Sequence, residues 1–391
     1  MKINIKGLPQ SLTDEILIIN TEDYFQKELT LEELIVITFN DWDKVKSHFK
    51  KDFRFFESLL FKLHFKRRKD YLWKERYHIL KFLIVGYYYS KDVRYFNEFL
   101  FFFRKNEENI LLWNFAVDCF NKNTDISNYH TFPLSSRDGV ISWIDQANVT
   151  TNLKQISEAK RIGLIGTPIF FNKIKKELIN LGFHVNVYFI PFHVDKKINF
   201  LLNNKILWFF IKKIVKVPKY TLLDYPIDSH KIKENILSDK NEIGFHKLGF
   251  IIRENIYGAF PKGLLNDHWG VLPFIRGYSS IEYSLLFGFP VTATTHLIEK
   301  SIDTGAIIKI FKYKADDLKT IRSIKCRIKE GLTNRAVQSI YTYALSDGKV
   351  IINDLNRGLT YYSMHVLLRN YIEQNILRKK FVKVFKPKST F

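Results

Sequence analysis

The 391-residue sequence predicts an α/β protein. Its core is a parallel-rich sheet over residues 160–312, preceded by an α+β domain at 1–150 and followed by a small extension at 313–391. Three observations predict this. A strand, turn, helix and strand follow one another from Arg161. Further short apolar segments at strand and helix spacing continue to Ile310. The composition, 46% hydrophobic and 26% charged, is that of a folded chain, and the length allows two or three domains with their own cores.

In the first 150 residues, short apolar runs (Glu15–Asn20, Leu34–Phe39) alternate with aromatic stretches. Ile79–Tyr89, bounded by Ser90-Lys-Asp92, reads as a buried strand. Phe96–Phe103 and Asn109–Phe120, rich in Leu, Phe and Trp, read as helices packing one face inward. Thr131–Val140, with Pro133 and Gly139, is a turn-rich boundary, and a polar linker follows at 151–159.

The core opens with the strand Arg161–Ile165 and a sharp turn, Gly166-Thr-Pro168. Ile174, Leu178 and Leu181 recur at helical spacing within Phe170–Leu181, and Gly182 is suited to end that helix. Val185–Ile190 is the next strand, which completes a β-α-β unit and opens a parallel sheet. The turn lacks G-x-G-x-x-G, so no dinucleotide site is indicated. Gly166 is either a tight turn only or, with Thr167, a ligand contact at the carboxyl end of the strand.

Glu242–Phe245, Leu264–Asn266, Thr292–His296 and Ala306–Ile310 continue the sheet, with a helix at Ser280–Leu286. After Tyr313 comes an amphipathic candidate, Tyr361–Leu377, and then a basic tail, Arg378–Lys388.

The net charge is +21, from 61 Lys and Arg against 40 Asp and Glu. Such an excess attracts an anionic partner, whether nucleic acid, a nucleotide diphosphate or an acidic membrane surface. The Lys residues form no single tract, so a solvated basic surface accounts for most of the charge, and on charge alone nucleic acid stays open. Cys119 and Cys326 supply neither a disulfide framework nor a metal-ligand cluster, so a reducing, cytoplasmic setting and no metal are expected. No apolar signal core follows Met1, and Ile206–Ile214 is too short to span a bilayer, so no membrane insertion is expected. The sequon Asn148-Val-Thr150 carries no weight in a cytoplasmic chain.

The chemistry concentrates in Asn266-Asp-His268 and in Asp303 of Ser301-Ile-Asp-Thr-Gly305. At a strand end, Asn266 and His268 share a face. An Asn amide and a protonated His can then aim at one developing oxyanion, while Asp303 orients the imidazole and raises its pKa. Transfer of a small acyl group to an amine needs that set. Taken singly, Asn266 and Asp303 read equally as loop-capping residues.

The segment from Arg161 to about Phe311 resembles the formyltransferases that use 10-formyltetrahydrofolate. The resemblance rests on Arg161-Ile-Gly-Leu-Ile-Gly-Thr-Pro168, on Leu264-Leu-Asn-Asp-His268 with Leu272-Pro273 and Arg276-Gly277, on Thr294-Thr-His296, and on Ile302-Asp-Thr-Gly305, in that order. It implies a Rossmann-like core with Asn266, His268 and Asp303 as the catalytic triad. It also implies that 10-formyltetrahydrofolate is the co-substrate. Gly244-Phe-His-Lys-Leu248 stands where the family's pterin loop runs, which places Phe245, His246, Lys247 and Leu248 at the folate, although His246-Lys247 departs from the usual wording. Ile298, Glu299 and Ile302 are expected on the opposite wall. His296 is either a residue behind the site or a satisfied strand histidine.

Within that family, Trp269, the run Arg276-Gly-Tyr-Ser-Ser280 and Gly358-Leu-Thr-Tyr-Tyr362-Ser-Met-His365 resemble the wording of the nucleotide-amino-sugar enzymes. This implies a nucleotide-linked amino sugar, dTDP-linked, feeding a surface polysaccharide such as an O-antigen of lipopolysaccharide. Gly166, Thr167, Trp269, Arg276, Tyr278 and Ser279 would meet it, with aromatic rings for stacking and Arg or Lys for the diphosphate. Plain core packing is the alternative for each aromatic. The stretch after Asp303 is short for a separate nucleic-acid-holding domain, so nucleic acid is not the expected partner. Methionyl-tRNA formylation remains the alternative activity, and a non-catalytic sugar- or folate-binding descendant the alternative class. A homodimer is expected, with 313–391 as the dimerisation region. Residues 1–150 carry no assignable motif, and an acyltransferase-type module is the nearest analogy.

Overall fold

Continuous burial along the central strands shows that the sheet is covered on both faces. The computed structural model describes residues 60, 63–64, 76–103, 107–122, 137–147, 151–190, 219–223, 229–248, 251–346 and 350–380. The runs Glu15–Asn20, Leu34–Phe39 and Ile206–Ile214, the sequon, and the basic tail beyond residue 380 lie outside these residues. By contacts the chain divides into two compact units. One is Met1–Phe132 with Tyr361–Phe391, and the other is Pro133–Thr360.

Among the described residues nine strands follow in order, the last ending at the boundary of the second unit: β1 (Arg161–Gly166), β2 (His184–Phe189), β3 (Thr221–Leu222), β4 (Ile243–Lys247), β5 (Leu264–His268), β6 (Ile275–Gly277), β7 (Val291–Leu297), β8 (Ile307–Tyr313) and β9 (Leu359–Tyr361). Seven form one sheet in the order β3-β2-β1-β4-β5-β7-β8, and β6 pairs with β9. From β3 to β5 all pairings are parallel, whereas β7 runs antiparallel to β5 and to β8. This is the α/β, parallel-rich sheet that the sequence predicts. The order reverses between β1 and β4, so a crevice opens beyond the carboxyl ends of the strands there.

Parallel strands with both faces covered are apolar throughout, and β1 is buried at all but its first position. On one face Ile162, Leu164, Val185, Val187, Phe245 and Leu265 pack with Ile174 and Leu178 of the helix Asn172–Asn180. Ala336, Val337, Ile340 and Ala344 of the helix Leu332–Leu345 join the same cluster. The core therefore runs on past residue 312, and this part of the expected extension is built into it. On the other face Ile165, Tyr188, Ile232, Ile256 and Phe260 form a second cluster. Gly163 and Gly244 are register partners. A Cβ on either would lie 2.6 or 2.8 Å from the Phe260 ring, so two adjacent glycines let that ring lie flat on the sheet.

The helix Arg137–Ala147 and the stretch read as a linker belong to this unit as well. Lys312 pairs with Asp145 at 2.9 Å, Lys309 donates to the Thr151 hydroxyl at 2.6 Å, and the Ile156 N–H reaches the Leu181 carbonyl.

In the first unit the described elements before residue 133 are helices: Arg76–Ser90, Val93–Phe102 and Glu107–Lys122. The buried strand expected at Ile79–Tyr89 is thus a helix. An all-apolar run carries no period, and its length of more than ten residues is what favours helix. Among the described residues this unit shows no strand before Tyr361, so the α+β reading of 1–150 finds only its helical part there. The chain from Tyr361 onward packs with these helices: the Asn97 amide donates to the Ser363 carbonyl, and the Asn97 amide oxygen accepts the His365 N–H at 2.8 Å. No helix among the described residues is long and apolar enough to cross a membrane.

Candidate active site

β5 carries Asn266 and His268 on one face and Asp267 on the other, as strand alternation requires. Asn266 faces His296 of β7 in register, and His268 faces Thr294. The loop between β7 and β8 brings in Asp303, whose φ of +53° lies in the left-handed region that Asp tolerates better than most residues. The Asn353 amide holds this loop by donating to the Asp303 and Gly305 carbonyls, both at 2.9 Å.

The three expected triad residues meet. Asp303 Oδ2 lies 3.2 Å from His268 Nδ1 and accepts the Gly277 N–H at 2.8 Å. Asp303 Oδ1 lies 3.4 Å from the Asn266 amide and 3.3 Å from His296 Nε2. His268 Nε2 donates to the Ile275 carbonyl at 2.9 Å. With an acceptor at each ring nitrogen, His268 is arranged as an imidazolium. Burial alone disfavours that charge, but the Asp303 carboxylate and the Ile275 carbonyl outweigh it and hold the His268 pKa above its ordinary value. Burial likewise works against the Asp303 charge, yet the adjacent His268 cation and its hydrogen bond keep its pKa well below the usual carboxylate range. His296 donates its Nδ1–H to the Leu297 carbonyl at 2.6 Å, which leaves Nε2 to accept from the Asn266 amide at 3.1 Å. Both ring nitrogens of this strand histidine thus have partners, and its ring lines the cleft.

Asp267, which the sequence reading passed over, faces the helix Leu332–Leu345. Arg335 bonds it at both oxygens, and Trp269 donates its indole N–H at 2.9 Å. Arg335 also donates to the Ile328 carbonyl and the Tyr313 hydroxyl. Burial would raise the Asp267 pKa, but the Arg335 guanidinium takes it down to about 2. A signal existed: Arg335 sits on the apolar stripe of Leu332, Ala336, Val337 and Ile340, where an unpaired cation would not be buried.

A cleft of about 310 Å³ opens over Asn266, His268 and Asp303. Of the residues expected at the folate, His246, Leu248, Ile298, Glu299 and Ile302 line it. Phe245 does not: it is fully buried in the core on the opposite side of its strand. Lys247 points instead to Asp267 at 3.5 Å and lies over the Trp269 ring. Of the residues expected at the sugar, Trp269 and Tyr278 line the cleft, whereas Gly166, Thr167, Arg276 and Ser279 do not. Arg276 is buried and donates to the Pro273, Leu355 and Gly358 carbonyls, so its guanidinium holds the chain around β6 and β9 rather than an anion. Ser279 turns the chain into the helix Ser280–Leu286 with φ +53°. Gly166 passes against the Lys247 carbonyl, where a Cβ would come within 2.7 Å.

No family model matches the chain. Among curated proteins it is similar to the methionyl-tRNA formyltransferase of Campylobacter lari, 31% identical over 163 residues, which cover 38% of this chain and 49% of that one. It is also similar to the methionyl-tRNA formyltransferase of Finegoldia magna, 37% identical over 70 residues, 18% of this chain and 23% of that one. The chain spans about half the length, or less, of these curated relatives. Among solved structures, the formyltransferase PseJ from Anoxybacillus kamchatkensis, in complex with UDP-4,6-dideoxy-4-formamido-L-AltNAc and tetrahydrofolate, is 20% identical over 51% of this chain and 85% of that one, with a TM-score of 0.31. The curated relatives bear out the family resemblance read from the motifs, which is to the formyltransferases.

Proposed function

We propose that this chain transfers a formyl group from a reduced folate, 10-formyltetrahydrofolate, to the amine of a nucleotide-linked amino sugar, dTDP-linked by the resemblance of its motifs. The observation that carries formyl transfer is the convergence of Asn266, His268 and Asp303 on one cleft, with His268 and Asp303 locked as an ion pair. Bound folate would supply the formyl carbon. In the exchange a carbon–nitrogen bond forms to the acceptor amine and one breaks to the folate nitrogen; one proton leaves the amine and one joins the folate.

The residues fit that task. Leu248, Ile251, Ile252, Ile298 and Ile302 give the cleft an apolar wall against which a flat ring can lie. The Nε2 atom of His246 is buried there without a partner, as suits a site awaiting a polar ligand. Asn266 and the His268 cation stabilise negative charge as it builds on the formyl oxygen, for which each reorients a proton from its present acceptor. Asp303 keeps His268 charged and, through water, takes up the amine proton. With Arg276 committed to backbone carbonyls, Lys300, exposed on the rim of the cleft, is the residue we assign to the diphosphate, and Trp269 and Tyr278 to the sugar or base.

A second acceptor, the amine of initiator methionyl-tRNA, is favoured by the curated relatives and by the +21 charge. The test is a mass-resolved transfer assay with 10-formyltetrahydrofolate against dTDP-, UDP- and GDP-linked amino sugars and the charged tRNA. A formylated nucleotide sugar supports the first acceptor. Transfer to the tRNA alone, weakening steeply with salt, replaces it with the second. Transfer to none of them sinks the activity.

A further inference from the structure

We propose that His246 is a catalytic hydrogen-bond donor, its Nε2–H bonding the oxygen of the carbonyl under attack beside the Asn266 amide. The inference rests on the formyl-transfer reading of this site and adds a group that the Asn266–His268–Asp303 set does not contain.

In the arrangement seen, the expected oxyanion donors are already committed. The Asn266 amide faces His296 and Asp303, and the two His268 N–H groups face Ile275 and Asp303. None of these protons is aimed into the cleft. His246 differs. Its ring lines the cleft at 5% exposure. Its Nδ1 accepts the Leu248 N–H at 3.3 Å, which places the ring proton on Nε2. That Nε2 is buried and meets no partner, and a buried N–H without an acceptor is costly until a ligand supplies one.

Position points to the same oxygen. β4 and β5 pair Gly244 with Leu264 and Phe245 with Leu265, so the next residues along the two strands are His246 and Asn266. Asn266 pairs in turn with His296. The three side chains form a row on one face at the carboxyl end of the parallel strands. Adjacent strands lie about 4.8 Å apart, so one oxygen between them is within reach of both donors. Burial keeps the His246 ring neutral, with a pKa of about 3, so it donates without ever being charged. As the amine lone pair forms the new carbon–nitrogen bond, the carbonyl π pair moves to oxygen. It returns as the bond to the folate nitrogen breaks, and His246 keeps its proton throughout.

The test uses the full chain with 10-formyl-5,8-dideazafolate, labelled with 13C at the formyl carbon, and no amine. Isotope-edited infrared spectroscopy reads the bound carbonyl. The expected result is a lower stretching frequency on wild type than on His246→Phe, with His246→Gln, which retains an N–H, in between. In turnover, His246→Phe should lower kcat on the order of 10²- to 10³-fold, as loss of one oxyanion donor does, with KM for the formyl donor little changed and His246→Gln recovering part of the rate. Equal frequencies on wild type and His246→Phe, each with the probe bound, overturn the proposal alone. A raised KM at unchanged kcat overturns it too, by making His246 a ring-binding contact. Failure of wild type to bind the probe takes down the formyl-transfer reading with it.

Discussion

Asp267 and Arg335 meet behind the site strand through two parallel hydrogen bonds, Nε to Oδ1 and Nη2 to Oδ2, each 2.7 Å. Both side chains are essentially excluded from solvent. Because Asp267 lies between Asn266 and His268, this pair fixes the rotation of the strand that presents them. Arg335→Ala leaves a buried carboxylate with only the more distant Lys247 cation beside it and should cost about 3–5 kcal/mol of stability. Chemical denaturation of wild type and variant measures this. Arg335→Met, tested with Asp267→Leu, should recover much of the loss; no recovery would mean that the ion pair itself is required.

The same pair makes stability depend on acid. The Asp267 pKa falls to about 2 from an ordinary value of 3.8. A depressed carboxylate pKa contributes stability that is fully present above the ordinary value and is lost as pH falls through the folded one. Wild type should therefore lose stability between about pH 4 and pH 2, and Asp267→Asn, though less stable at neutral pH, should show a shallower loss across that window. Parallel denaturation curves would remove Asp267 from the acid response.

The triad predicts a rate profile with the opposite sign. The His268 pKa is raised, so the imidazolium is present below its ordinary value and is lost as pH rises through the elevated one. Activity should fall on the alkaline side above the range of an unperturbed histidine. Asp303→Asn removes the charge that outweighs burial, so the fall should move to lower pH and the maximum rate should drop. Asn266→Ala, His268→Ala and Asp303→Ala should each lower kcat on the order of 10²-fold or more while leaving the fold intact. Near-normal turnover by His268→Ala would remove the mechanism.

What the sequence made readable follows from how local each signal is. The β-α-β opening was readable because Ile174 and Leu178 recur at helical spacing beside two short apolar runs. The convergence of Asn266, His268 and Asp303 on one cleft was readable because their order and neighbouring residues form a recognisable pattern. Phe245 was misplaced because a motif names a strand but not which face each residue takes: one position decides whether a side chain meets the core or the cleft, and His246 fell on the other side. Arg276 was misread because charge was taken for ligand contact, whereas three backbone carbonyls satisfy it. The bond of Asp267 to Arg335 and the place of His246 beside Asn266 depend on helix docking and strand register, which no local pattern encodes.

Asn353 is a further contact of that kind, and it yields the last prediction. It lies far along the chain from Asp303, yet its amide holds the Asp303 and Gly305 carbonyls and is buried. Gly305 runs so close to the Leu297 carbonyl that no Cβ would fit there, so the loop has little slack of its own. Asn353→Ala removes both hydrogen bonds and should cost about 1–3 kcal/mol. If the bonds serve only stability, kcat and the pH profile should survive at temperatures where the variant is folded. If they hold Asp303 against His268, the alkaline limb of the rate should shift downward, toward an ordinary histidine, at full occupancy of both substrates. We expect the second outcome, because the left-handed conformation of Asp303 has no other side-chain bond to its backbone carbonyl among those described. Direct titration of His268 by NMR in wild type and Asn353→Ala separates the two.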